Sequence, residues 1–340
     1  MEILIEKIQD SEKELWDKFV LTSEKSTFFH QIGWKNVVEN SYGVSSYYLI
    51  AKKNDEITGI LPFFNIDNRL VSLPFAPYGG PLAQDEFTST LLLKAAVTII
   101  KNEKLKYFEL RCLDPLKDDF LISETSRSTF FIGLDCEPEF LWQNTSKSAR
   151  RFVNKALRSG ITVEMDRRFL KDFYHLYVLL NKDFGSAVHS YDFFNNILQE
   201  FPDESTIQVA ILNGEIIGAK FLLFHKTTIL SAWAATDKHY RKLSPNGLLT
   251  WHVMQYGCEN NYKVFDFGRS ELHTGSENFK NKWGDPQIKP IYSQYYFNKK
   301  QRIQDISKFG IKRKIFSRIW SLVPLEISVK IGPHLRKHFP

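Results

Sequence analysis

The chain repeats itself. Residues 47–60 read as a strand, an Asn-Asp turn and a second strand, and residues 207–219 read as a strand, an Asn-Gly turn and a second strand. Asn-Asp and Asn-Gly between alternating apolar runs are hairpin signals, because both residues tolerate the left-handed backbone that a tight turn requires. After each hairpin comes another β-rich run (70–76 and 229–235), then a helix-length segment (88–103 and 247–260), then a strand that carries an acid (107–111 and 264–268). Gly59 and Gly218 are 159 residues apart, and Phe108 and Phe265 are 157 apart. A register held through four successive elements predicts two copies of one α/β (α+β) domain, each a mixed, mostly antiparallel twisted sheet flanked by helices. A length of 340 residues suits two domains of ordinary size. The expected boundaries are 1–143, 144–298 and a basic tail over 299–340.

The acid of the second copy is the sharpest chemical signal. Val264-Phe265-Asp266-Phe267-Gly268 places a carboxylate inside an apolar strand, and Arg269-Ser270 follow it. Burying an ionised Asp266 costs several kcal/mol unless it is paired, and Arg269 is a candidate partner. Two readings stand: a functional pair, or a closed pair that only pins a loop. Downstream, Phe279-Lys280 and Trp283-Gly284 follow the same strand. Trp283 reads as a core anchor or as a stacking platform.

Upstream lies a strand–loop–helix junction that includes Trp233-Ala234-Ala235 and Tyr240-Arg241-Lys242-Leu243-Ser244-Pro245-Asn246-Gly247. Ser244 and Asn246 are good N-cap residues, and Pro245 suits a first helical turn. Free amides at a helix start, with Arg241 and Lys242 beside them, suit a phosphate-bearing donor; an ordinary capped helix is the plainer reading. The corresponding stretch of the first copy contains Pro77-Tyr78-Gly79-Gly80-Pro81, which is uncharged and suited to lining a cleft.

Charge is uneven. Residues 299–340 hold eleven Lys or Arg against Asp305 and Glu326, a local balance of +9 in a chain whose total is +6. Ile311, Ile315, Phe316, Ile319, Leu322 and Val323 share one half of a helical wheel there, with Arg313, Lys314 and Arg318 opposite. Such a helix suits an anionic membrane surface or an RNA backbone, or it is a packed last helix with a solvated basic face. A second basic run, Lys147, Arg150, Arg151, Lys155 and Arg158, occupies a helix that Gly160 should end. The aromatic residues mostly follow strand patterns and the chain before the tail is net acidic, which argues against a nucleic-acid-binding protein, with no DNA partner expected. Cys112, Cys136 and Cys258 show no metal-ligand spacing, so no metal site is expected, and their odd number fits a reducing, cytoplasmic setting. The N-terminus carries no secretory pattern, and the most apolar window, 216–235, is interrupted by Lys220, His225 and Lys226.

Taken together, the motifs at 27–34 (Thr27-Phe28-Phe29-His30 and Trp34), 77–82, 244–251, 265–270 and 279–284 resemble the FemAB-related acyltransferases. The resemblance covers nearly the whole chain, and the branch it suggests is the one encoded with bacterial exopolysaccharide and exosortase systems. It implies two tandem GNAT-like domains that transfer an acyl or aminoacyl group to an amine or hydroxyl of a cell-envelope glycan, exopolysaccharide or peptidoglycan precursor. The implied donor is acyl-CoA or aminoacyl-tRNA, used as a co-substrate with no tightly bound cofactor. In such folds two parallel strands splay and the acyl carbonyl enters the gap. By analogy Trp233, Ala234, Ala235, Arg241, Lys242, Ser244, Asn246 and Gly247 face the donor, Asp266 and Arg269 are catalytic, and Tyr78, Gly79, Lys280 and Trp283 face the acceptor. The acetyl-CoA loop's glycines are replaced here by Ser244 and Asn246, so a catalytically silent module in a polysaccharide assembly complex is the alternative.

Overall fold

A computed structural model describes residues 2–298 and 317–339. In chain order the elements are β1 (Leu4–Lys7), α1 (Lys13–Thr22), α2 (Ile32–Tyr42), β2 (Ser46–Lys53), β3 (Glu56–Asn65), β4 (Leu70–Val71), β5 (Leu82–Ala83), α3 (Glu86–Asn102), β6 (Tyr107–Cys112) and β7 (Ile122–Gly133). They continue with α4 (Pro138–Asn144), α5 (Lys147–Arg158), β8 (Thr162–Met165), α6 (Leu170–Asp183), α7 (Tyr191–Glu200), β9 (Ser205–Leu212), β10 (Glu215–His225) and β11 (Thr228–Thr236). The last are α8 (Pro245–Glu259), β12 (Val264–Glu271), α9 (Gly275–Lys280), β13 (Gln287–Phe297) and α10 (Leu325–Arg336). Two compact units result, the first built mainly from Met1–Ser126 and the second mainly from Arg127–Lys289.

Both units use one pairing scheme. In the first, the order is β1-β2-β3-β4-β6-β13, with β4 and β6 parallel and the other pairs antiparallel. In the second it is β8-β9-β10-β11-β12-β7, with β11 and β12 parallel and the rest antiparallel. The predicted hairpins are β2–β3, turning at Asn54-Asp55, and β9–β10, turning at Asn213-Gly214, with positive φ at all four residues. The spaced glycines explain each other too. A Cβ at Gly59 would meet Thr88 of α3 at 2.8 Å, and one at Gly218 would meet Pro245 of α8 at 3.4 Å. In both copies the second hairpin strand passes beneath the start of the long helix; at Gly59 the approach admits only the smallest residue, and at Gly218 it is ordinary contact.

The copies differ where the sequence predicts a strand over 70–76. Only Leu70 and Val71 pair, because Leu73 and Phe75 adopt left-handed backbone around Pro74. In the second copy the equivalent run extends as β11 over nine residues. Each unit closes on its own core: Leu61, Phe63, Leu92, Ile100 and Phe108 in the first, and Ile217, Leu222, Leu249, Met254, Phe265 and Trp283 in the second. The buried aromatic and branched residues supply most of the folding drive, at roughly 1.5–3 kcal/mol for each large side chain taken from water.

Candidate functional site

The second unit's parallel pair is short. Thr228, Ile229 and Leu230 face Val264, Phe265 and Asp266, and there the pairing stops, although β11 runs on to Thr236 and β12 to Glu271. An irregularity sits on each strand at this point. On β11, Phe221 and Leu222 of β10 face Trp233 and Ser231, so Ala232 is an extra, bulged residue. On β12, Asp266 and Arg269 face Phe131 and Thr129 of β7, so Phe267 and Gly268 together oppose Phe130. A bulge frees backbone groups and re-aims the strand, which is how two parallel strands part and leave amides available.

The β12 bulge is held by the residues singled out in the sequence. Gly268 has φ +70°, a conformation that favours glycine. Its amide donates to Asp266 Oδ1 at 2.8 Å, and the Thr129 hydroxyl donates to the same oxygen at 2.6 Å. Its carbonyl accepts from Lys280 Nζ at 2.6 Å, and the Arg269 carbonyl accepts from that nitrogen at 3.2 Å. Asp266 and Lys280 thus hold the two peptide groups that flank one glycine while both are buried, at 1% and 6% exposure. An ammonium has three N–H donors, so one remains on Lys280 after these two bonds.

The sequence reasoning missed Lys220. It lies on β10, 2% exposed, and donates to Thr250 Oγ1 at 2.7 Å, while the Thr250 hydroxyl donates to the Asn246 carbonyl at 2.8 Å. A buried amine is thereby tied to the loop that begins α8. Burial brings Lys220 down to about 7, and the Lys280 charge adds to the effect. Burial likewise brings Lys280 down to about 8, opposed by the Asp266 carboxylate, which pulls it up. The signal was present, since Lys220 interrupts an apolar strand as Asp266 does, but a lone lysine there reads as a break in hydropathy.

The lysine carries a stability prediction. Between about pH 7 and the model-peptide value of 10.5, the unfolded chain binds a proton that native Lys220 does not. Native stability therefore rises with pH over that window, at up to about 1.4 kcal/mol per pH unit. Lys220→Met should be more stable than wild type at pH 7 and show a shallower rise towards pH 9 in chemical denaturation. Parallel curves for the two proteins would remove the lysine as the cause.

At the mouth of the parted strands, Thr236, Arg241, Ser244, Pro245 and Asn246 line a concavity of about 220 Å³. Three of the predicted donor residues therefore meet at the start of the 15-residue α8. Ser244 occupies the N-cap with φ +62° and its side chain makes no cap bond; its carbonyl accepts from the Gly247 amide at 3.0 Å and Pro245 has no N–H, so the first-turn amide left for another acceptor is that of Asn246. Arg241 lies 3.6 Å from Asp183, an exposed pair. Gly247 has a packing reason, because a Cβ there would meet Phe152 of α5 at 2.9 Å. Ala235 is buried and Ala234 exposed, while the Trp233 ring packs edge-on against Phe193, Phe194 and Phe221.

Trp283 is fully buried with Phe279 5.7 Å away, in the second unit's core. In the first unit, Gly79 donates to the Arg111 carbonyl at 2.7 Å and abuts Leu73, and half-buried Tyr78 precedes it. The basic face of α5 borders an open concavity of about 640 Å³ that includes Arg151, Lys155 and Arg158. Among the described residues no cluster of metal-ligating side chains occurs.

A parallel pair that splits beside a helix start defines the acyltransferase fold of the GNAT class. Residues 143–281 match the family Acetyltransferase (GNAT) domain. The second unit thus carries an acyltransferase domain of GNAT type, and the fold of the chain is that of a tandem GNAT protein. Its fold is similar to that of FemX, with TM-score 0.68 at 16% identity over 88% of this chain and 98% of that one. It is also similar to the C-terminal domain of a putative lysylphosphatidylglycerol synthetase from Agrobacterium fabrum, with TM-score 0.55 at 13% identity over 84% and 91% of the two chains. A tandem GNAT protein from the clavulanic acid biosynthesis pathway gives 0.58 at 9% identity over 86% and 98%. No curated protein matches the sequence.

Proposed function

We propose that the second unit transfers an acyl or aminoacyl group directly from a phosphate-bearing donor to an amine or hydroxyl of a cell-envelope glycan precursor, at the cytoplasmic side. The observation that carries the reading is the parting of β11 from β12, with a bulge on each strand and a helix start alongside. A donor phosphate would meet the Asn246 amide, Arg241 and Lys242, and the acyl carbonyl would enter the gap between the strands. Attack by the acceptor N–H or O–H forms the new bond to the carbonyl carbon, the bond from that carbon to the donor's leaving atom breaks, and the proton lost by the acceptor ends on the leaving group, with no enzyme-bound intermediate. Asp266 and Lys280 fix the Gly268 bulge and present one charged N–H; Arg269 follows the same bulge, and Trp283 supports it from the core. The envelope assignment draws support from the FemAB resemblance.

A thermal-shift panel of acyl-CoAs, aminoacyl-tRNA analogues and sugar nucleotides tests the reading, because a bound donor raises the unfolding midpoint by mass action. One class of donor should give a concentration-dependent rise. No rise with any donor would favour the silent-module alternative, which Ser244 and Asn246 motivate because they stand in place of loop glycines.

Reversing Arg241 and Lys242 together to Glu should weaken the donor at least tenfold at low salt and leave acceptor affinity nearly unchanged. Arg241 lines the concavity and Lys242 is the next residue in the chain, and at low ionic strength screening cannot hide the loss. Equal donor affinity for both proteins would place the phosphate elsewhere.

A further inference from the structure

The C-terminal segment of the second unit is packed inside out. An ordinary docked helix buries its large apolar side chains and shows its small and charged ones. In α10 the buried residues are Ser328 and Gly332, whereas Ile327 and Ile331 are each 45% exposed. The reason is a close approach: a Cβ at Gly332 would meet Val188 at 2.8 Å and the Trp320 ring at 3.7 Å. Trp320 is itself buried, but its neighbours Ile319 and Leu322 are 62% and 83% exposed.

Phe184 belongs to the same patch. The Ser317 hydroxyl donates to the Phe184 carbonyl at 2.8 Å, and the Phe184 side chain is 62% exposed. Five large apolar side chains therefore stand outward on adjoining segments, far more than scattered exposure explains. Exposed Arg318 and Lys330 lie among them, with Glu326 the acid on the same stretch. In sequence, residues 299–314 contribute seven further Lys or Arg against Asp305.

We propose that this face of the second unit docks on an anionic lipid bilayer. Apolar side chains projecting from a cationic segment are the combination an anionic bilayer surface takes up, with insertion at the headgroup boundary and attraction to the lipid charge acting together. An RNA backbone would use the cations and gain nothing from exposed isoleucines and leucine. No helix among the described residues is long and apolar enough to cross a membrane, so binding is at the surface and reversible.

Co-sedimentation of the full chain tests this with vesicles of phosphatidylcholine alone and with phosphatidylglycerol added. Wild type should pellet with the anionic vesicles, lose binding as salt rises, and hardly pellet with neutral ones. A Phe184→Ser, Ile319→Ser, Leu322→Ser variant should partition at least tenfold less, with little change in the unfolding midpoint because all three side chains are mostly exposed. If that variant were destabilised, Arg318→Glu with Lys330→Glu supplies the second arm and should lower binding to anionic vesicles alone. Equal partition of wild type and both variants, or no pelleting of wild type, would overturn the proposal. So would retention on single-stranded RNA without any capture by vesicles.

Discussion

Asp266→Asn is expected to fold and to lose about two to three orders of magnitude in transfer rate, the range typical when one preorganised electrostatic contact is removed from an acyl-transfer site. The fold should survive because an Asn Oδ1 can still accept from the Thr129 hydroxyl and the Gly268 amide, so the bulge keeps both bonds. What disappears is the negative charge that pulls Lys280 upward, and without it burial drives the lysine further below about 8 and towards its neutral form. Asp266→Ala is the contrast. It strips the partner from a buried hydroxyl and a buried amide, at about 1–3 kcal/mol each, and should lower stability as well as activity. Single-turnover rates set beside denaturation curves for the two variants separate charge from scaffold. Wild-type turnover by Asp266→Asn would make the carboxylate a pin for the bulge and move the chemistry elsewhere.

The sequence yields the parts of this site that depend on local signals. Hairpins at 54–55 and 213–214 follow from turn dipeptides between alternating apolar residues, and the matched spacing of Gly59 and Gly218 marks the same helix–strand approach in both copies. Asp266 is legible because a carboxylate in an apolar strand has few bland explanations. The bulges at Ala232 and Gly268 are not, since a bulge is defined by which residues stand opposite, and those opposite Gly268 lie about 140 positions earlier in the chain. The shortened β4 escaped for a related reason: Leu73 and Phe75 are ordinary strand formers by composition, and their left-handed backbone comes from the surrounding loop.

The tail shows the limit of a helical wheel. Its apolar half groups Ile319 with Leu322, and both are exposed, but a wheel cannot say whether that half turns inward. Small residues at 328 and 332 take the fully buried positions in α10, while Ile327 and Ile331 stay exposed. Residues 311–316 of the predicted amphipathic stretch lie outside the described residues.

Lys280→Met carries the other large effect. Methionine fills nearly the same space, so the core around Phe130 should tolerate it, but the Gly268 and Arg269 carbonyls lose their shared donor. Two buried carbonyls without that ammonium cost about 1–3 kcal/mol each at most, less where water reaches them. The rate should fall by a further factor of about a hundred or more if the third N–H meets the developing oxyanion. A pH profile distinguishes that role from scaffolding. With Lys280 titrating at about 8, the ammonium is present below that pH and lost above it, so wild-type kcat/KM should decline as pH rises through 8. The residual activity of Lys280→Met should show no such limb. Because the native state binds the proton less tightly than the unfolded chain does, stability moves the other way and rises from pH 8 towards 10.5, so unfolding cannot produce the decline. A basic limb that persists unchanged in Lys280→Met would assign the titration to another group and leave Lys280 as a clamp on the bulge alone.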